Sequence, residues 1–190
     1  MVPQIIKLKT MYKAITLSFL LCAGFTLQAQ KLFSTKTGQI KFNASSPLEK
    51  IEAINNQVDS KMIDKTGQIV FSVLIKSFKF ENQLMEDHFN ENYLESSKIP
   101  KADFKGYITN VSTIDFSKDG NYPINLEGTL TLHGVAQKIS VPGTMIITAG
   151  KPVIGGAFKI KIKDYGVTGL YIGDKIASEA EITVKCEYEQ

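Results

Sequence analysis

The stretch Lys175-Ile176-Ala177-Ser178-Glu179-Ala180-Glu181-Ile182-Thr183-Val184-Lys185-Cys186-Glu187-Tyr188-Glu189 decides the fold. Ile176, Ser178, Ala180, Ile182, Val184, Cys186 and Tyr188 share one phase. Lys175, Glu179, Glu181, Thr183, Lys185, Glu187 and Glu189 share the other. A period of two with one apolar and one charged face is a β-strand half-buried along its length. Upstream, Tyr122, Ile124, Leu126, Gly128, Leu130 and Leu132 alternate with Asn125, Glu127, Thr129 and Thr131, and Phe158, Ile160 and Ile162 alternate with Lys159, Lys161 and Lys163. Further strands are expected at 38–44, 50–60, 67–80, 103–115 and 137–148, which brings the count to about eight. The class is all-β.

Turn chemistry separates these strands. Asp64-Lys65-Thr66-Gly67, Lys118-Asp119-Gly120-Asn121 and Ala149-Gly150-Lys151-Pro152 tolerate tight or left-handed backbone. Gly155-Gly156 predicts a bulge or sharp bend. Short connections favour an antiparallel up-and-down order, and a sheet with one apolar face must close on itself or pack on another. One segment departs from the pattern. Asn82 to Glu95 places Met85, Phe89 and Tyr93 four apart, with Leu84 and His88 beside them, which predicts a short amphipathic helix stopped ahead of Pro100. Its apolar stripe needs the mouth or open edge of a barrel to lie on.

All 22 basic residues are lysine, against 19 acids, for a formal charge of +3. Lys7, Lys9 and Lys13 lie in 1–29, which holds no acid, so 30–190 carries 19 lysines, 19 acids and no net charge. Residues 14–25 form an apolar core of about 12 residues, short of the ~20 needed to span a bilayer as a helix, and Ala29 offers a small exit residue. The expectation is a signal peptide over 1–29, with Met11 an alternative start, and one domain over 30–190 in the periplasm or outside the cell. No integral membrane segment is expected after cleavage. Cys22 follows Leu21 where a lipoprotein signal needs a small residue. Cys186 lies on the apolar phase of its strand and reads as a buried, inert thiol.

Few residues offer chemistry. Glu86-Asp87-His88 sets two carboxylates beside an imidazole but lacks the second histidine of a zinc-protease helix. His133-Gly134 reads as a tight hairpin turn, and Asp164 and Asp174 as turn residues at a barrel rim. No nucleophile elbow, dinucleotide fingerprint or P-loop occurs. One remaining cysteine and two histidines supply no metal cluster without carboxylates. Zero net charge and the absence of arginine argue against nucleic acid. Packing the lysine and glutamate phases inside eight strands would be sterically poor, which argues against an outer-membrane barrel.

Taken in order, Met85-Glu86-Asp87-His88-Phe89, then Ile99-Pro100-Lys101-Ala102-Asp103-Phe104-Lys105-Gly106, then Leu126-Glu127-Gly128-Thr129-Leu130-Thr131-Leu132-His133-Gly134-Val135, and last Lys163-Asp164-Tyr165-Gly166-Val167, resemble the YceI-like family across almost all of 30–190. The resemblance implies a lipocalin-like barrel that holds a polyisoprenoid or similar long apolar lipid non-covalently, without catalysis and with no cofactor beyond that lipid. Many family members carry an arginine shortly before the histidine; here the segment reads Met85-Glu86-Asp87, and Lys163 precedes the later turn. A phosphate head would lack an arginine fork, so a quinone, fatty acid or neutral isoprenoid is as defensible a ligand.

The expected cavity wall is the inward phase, Phe71, Val73, Phe104, Ile108, Leu126, Leu130, Phe158 and Ile160, with Met85, His88 and Phe89 at the mouth and Tyr165 from the last motif. The expected role is sequestration or transport, with a homodimer left open. Two alternatives are an envelope stress or interaction protein whose core is filled by its own side chains, and a lipid-acting enzyme using His88 with Glu86 or Asp87.

Overall fold

The computed structural model describes residues 30–190, and the signal peptide expected over 1–29 lies outside them. Nine strands follow in order: β1 (Leu32–Ser45), β2 (Glu52–Ile63), β3 (Gln68–Leu74), β4 (Lys79–Phe80), β5 (Lys101–Ile108), β6 (Gly120–Leu132), β7 (Val135–Thr148), β8 (Lys151–Lys161) and β9 (Ile176–Glu187). They pair antiparallel in the order β1-β9-β8-β7-β6-β5-β3-β2-β4, and β1 also pairs with β2. That last pairing closes eight strands into a lipocalin-like barrel, with the two-residue β4 pairing alongside β2 beyond the end of β3. Tight hairpins join β2 to β3, β6 to β7 and β7 to β8, whereas β3 reaches its partner β5 only after the 75–100 connection that carries β4 and the helical insert.

Two of the hairpins turn on paired left-handed residues. His133 and Gly134 have φ of 50° and 77°, and Ala149 and Gly150 have φ of 50° and 75°. Two consecutive positive φ values match the right-handed twist of the flanking strands.

Strand limits differ from expectation where the phase slips. In β1 the register shifts between Thr35 and Gly38, so Phe33 and Thr35 are buried, Lys36 and Thr37 are exposed, and Gly38 turns inward again. A Cβ at Gly38 would lie 2.5 Å from Cys186 Sγ, so only glycine leaves room for that thiol. Cys186 is buried, and burial pushes its thiol up to about 12. The expected strand 67–80 is broken by a 3₁₀ turn at Ile75–Ser77, and 103–115 ends at Ile108 before a 3₁₀ turn at Val111–Thr113. At Gly155-Gly156 the bend separates partners. β8 pairs with β7 only up to Gly155 but stays with β9 to Lys161.

The helical insert is α1 (Gln83–His88), continued by a π-helical turn at Phe89–Tyr93. Asn82 caps it by accepting from Leu84 N–H at 2.9 Å. It ends at Leu94-Glu95, with Glu95 at φ 44°, ahead of the proline expected to stop it. Among the described residues no helix is long and apolar enough to cross a membrane. The lysines of β8, Lys159 and Lys161, are exposed on the outer face.

Candidate functional site

The two barrel ends differ in how they are filled. At the end bearing the β2–β3 and β7–β8 turns, Phe33, Met62, Ile69, Ile108, Ile147 and Tyr188 are each no more than 1% exposed. Phe33 stacks on Phe116 with centroids 5.7 Å apart. Tyr188 hydroxyl donates to Ser60 Oγ at 2.7 Å, and Ser60 donates onward to Val70 O at 2.8 Å, so this polar chain is satisfied inside the floor. Burial pushes the Tyr188 phenol far above its ordinary value.

Above that floor lies a cavity of about 500 Å³, within the ~300–1,000 Å³ span of ligand sites. Its wall is overwhelmingly aliphatic and phenylalanine, so the barrel is not filled by its own side chains. Of the residues expected to line it, Phe71, Val73, Phe104, Leu126, Leu130, Phe158 and Ile160 do so, as do Met85, His88 and Phe89. Phe71 and Phe104 are cross-strand partners in edge-to-face contact, 6.1 Å between centroids.

Ile108 and Tyr165 are corrections to that list. Ile108 falls at the end of β5 and belongs to the floor. Tyr165 is buried with Ala44 and Val167 beside the cavity rather than on it, and its carbonyl receives His133 Nδ1–H at 3.3 Å. Ile40, Phe42, Phe78, Phe80, Ile139, Val141, Ile154, Ile182 and Val184 also line the cavity. Ile182 and Val184 sit on the inward phase of β9 that opened the sequence reading and were legible there. Phe78 and Phe80 follow the 3₁₀ turn, which reverses the phase set by Phe71 and Val73.

The mouth is roofed by the helical insert. Phe89 lies at the centre of a phenylalanine cluster. Its ring stacks on Phe42 at 5.3 Å, tilts on Phe80 at 5.1 Å and meets Phe78 edge-on at 5.7 Å. The buried residue of α1 is Glu86, whose Oε1 takes a hydrogen bond from Lys79 Nζ at 2.6 Å and whose Oε2 accepts from Phe80 N–H at 3.4 Å. Asp87 accepts from Gln83 Nε2 at 2.9 Å. Both carboxylates are thus engaged away from His88, which is exposed at the mouth as expected.

The histidine that holds the seam is His133. Its Nδ1 donates to Tyr165 O, and its Nε2 lies 3.4 Å from Glu95 Oε2, an ion-pair separation without hydrogen-bond alignment. Glu95 is held below its ordinary value, first by the hydrogen bond from Lys98, then by its charge, then by His133.

The polar lining comes from Glu49, Asn82, His88, Asp103 and Lys175, all on elements at the mouth end. Lys175 is the one lysine in the wall, and its Nζ sits 5.2 Å over the Tyr171 ring. Tyr93, whose phenol is raised chiefly by burial, lies beside them.

Fold and site together define a closed antiparallel barrel with a self-packed floor and a deep apolar cavity opening under a short helix. The family model for the YceI-like domain matches residues 16–188, and the chain belongs to that family. Solved structures share the architecture. A polyisoprenoid binding domain from Saccharophagus degradans implicated in plant cell wall breakdown superposes with a TM-score of 0.72 at 12% identity, over 85% of this chain and 99% of that one. Burkholderia cenocepacia BcnA gives 0.68 at 17% identity, over 80% and 96%. The Campylobacter jejuni YCEI protein gives 0.52 at 17%, over 88% and 92%. At these identities the likeness is one of fold. No curated protein matches the chain in sequence.

Proposed function

We propose that this protein binds one long apolar lipid, a polyisoprenoid or a similar chain, non-covalently in the barrel cavity, to sequester or carry it. The observation that carries the reading is the cavity of about 500 Å³ between a sealed floor and a phenylalanine-clamped mouth, with its polar groups confined to the mouth end. Each CH₂-sized group withdrawn from water contributes about 0.8 kcal/mol, so a chain that fills such a space binds without specific polar contacts. The polyisoprenoid-binding domain among the structural neighbours supports an isoprenoid chain. A wall with one lysine and no arginine favours a neutral or weakly charged head over a pyrophosphate. The protein acts without a cofactor beyond its lipid and without turnover. Export by the 1–29 segment places it in the periplasm or outside the cell.

Native mass spectrometry of protein purified from its own host should show a bound lipid. Delipidated protein should take up an isoprenoid alcohol, a quinone or a long-chain fatty acid with one-to-one stoichiometry. Uptake of none of the three by folded, delipidated protein would refute the reading.

A further inference from the structure

The connections at the two ends of the barrel differ in a way that a container alone does not require. At the floor end the turns present Asp64, Lys65 and Thr66, Lys118 and Asp119, and Ala149 to Lys151. At the mouth end, three separate connections each hold a large apolar side chain out in water. Leu48, between β1 and β2, is 69% exposed; Leu84, on α1, is 59% exposed; Leu170 and Tyr171, between β8 and β9, are 95% and 49% exposed. The other exposed large apolar residues, Leu32, Leu74, Tyr107 and Ile146, lie singly on strands.

Leu84 and Tyr171 belong to two surfaces at once, since both also line the cavity. The outer apolar rim is therefore continuous with the interior. The β8–β9 connection is fixed beside the helical insert. Gly169 packs so closely on the Tyr93 ring that a Cβ there would lie 2.6 Å from it, which sets the next residue, Leu170, at the tip. Tyr171 with Lys175 over its ring supplies an apolar body with polar ends, the side-chain type that settles at the boundary between lipid and water. Beside the tips, the carboxylates Glu49, Glu81, Glu86, Asp87 and Asp174 outnumber Lys50, Lys79 and Lys175. A rim with that balance is not attracted to an anionic surface.

From the exposed leucines ringing the cavity entrance and the acidic balance around them, we infer that the mouth end docks on a neutral, zwitterionic lipid surface, dipping Leu48, Leu84, Leu170 and Tyr171 into it. The cavity then opens toward the lipid phase, and a chain with negligible solubility passes in or out without crossing water. The docking rests on the reading of the cavity as a lipid container.

Leu48 and Leu170 lie outside the cavity wall, so they separate docking from cavity binding. Flotation with phosphatidylcholine vesicles should recover the protein, and the double variant Leu48→Asp, Leu170→Asp should bind the vesicles roughly a hundredfold more weakly. The same variant should keep its melting temperature and its uptake of an isoprenoid alcohol delivered from detergent. Adding phosphatidylglycerol to the vesicles should weaken flotation. The chain has no tryptophan, so Leu170→Trp gives a single reporter whose emission should shift to the blue on adding phosphatidylcholine vesicles. Absence of flotation, equal flotation of the double variant, or loss of a homodimer in place of vesicle binding would each overturn the docking. If docking fails while alcohol uptake persists, the container reading survives it. If flotation holds with no uptake, the container reading is the one that falls.

Discussion

The ring of Phe89 stacks on that of Phe42 with centroids 5.3 Å apart and planes 17° from parallel. Phe42 lies on β1, where it is registered against Ala53 of β2 and Ile182 of β9. The contact therefore joins the helical insert to the strand that closes the barrel, and both rings also face the cavity. Roof and wall are held by the same side chains.

Phe89→Ala should remove the ring from the centre of the phenylalanine cluster. The ring is half-buried, so the loss should fall below the ~3–5 kcal/mol of a fully buried phenylalanine, at about 2 kcal/mol. Amide exchange should accelerate most over 83–93, and bound lipid should dissociate faster. Unchanged exchange in that segment would show that the cluster does not hold the roof.

The floor makes a different test, because its polar chain is directional. Ser60 accepts from Tyr188 and donates to Val70 O. Tyr188→Phe leaves Ser60 still donating and should cost about 1 kcal/mol. Ser60→Ala strands a buried phenol hydroxyl and should cost more, about 1–3 kcal/mol. Urea denaturation of the two variants measures the asymmetry, and equal losses would contradict it.

Which parts of this molecule were legible follows from where its alternation is unbroken. β6 holds its inward phase through Leu130 and β9 holds its own from Ala180 onward, so Leu126, Leu130 and Ile182 could be placed inward from the residue pattern alone, whereas Ser178 at the start of β9 is exposed. In β2 the phase shifts between Asn55 and Val58, and the inward set contains the polar Asn55 and Ser60. Their inward position depends on partners distant in sequence: Asn55 Nδ2 donates to Leu74 O at 2.9 Å, and Ser60 meets Tyr188. The roof was readable as an amphipathic helix, yet its buried residue proved to be Glu86, because Lys79 and Phe80 N–H come to it from β4. Cavity volume is a packing outcome of the whole barrel, and no local pattern encodes it.

Gly106 and Gly128 face each other across β5 and β6, and the Phe104 ring reaches over both. A Cβ on Gly128 would lie 2.4 Å from Lys105 O and 2.7 Å from Phe104 Cζ. Because the nearest atom is backbone, relief needs a strand shift, and Gly128→Ala should cost about 1–3 kcal/mol. The displaced Phe104 ring should also occupy cavity volume, so affinity for longer chains should fall more than for shorter ones. A length-independent loss would place the effect in the fold alone.

Acid should loosen the joint between roof and barrel through Glu95. Its carboxyl is held below the ordinary value of 4.5 by Lys98 first and His133 after it. A folded-state value below the unfolded one means the contribution is present above the unfolded value and is lost as pH falls through the folded one. The stabilisation should therefore be complete at neutral pH and disappear as pH drops from 4.5 downward. Glu95 is partly open to solvent, so salt should screen the effect. Glu95→Gln should flatten this part of the pH–stability curve, and Lys98→Met should raise the Glu95 titration midpoint followed by carbon NMR. An unmoved midpoint in Lys98→Met would assign the depressed carboxyl to another partner, leaving His133 as the group that ties the insert to the β6–β7 turn.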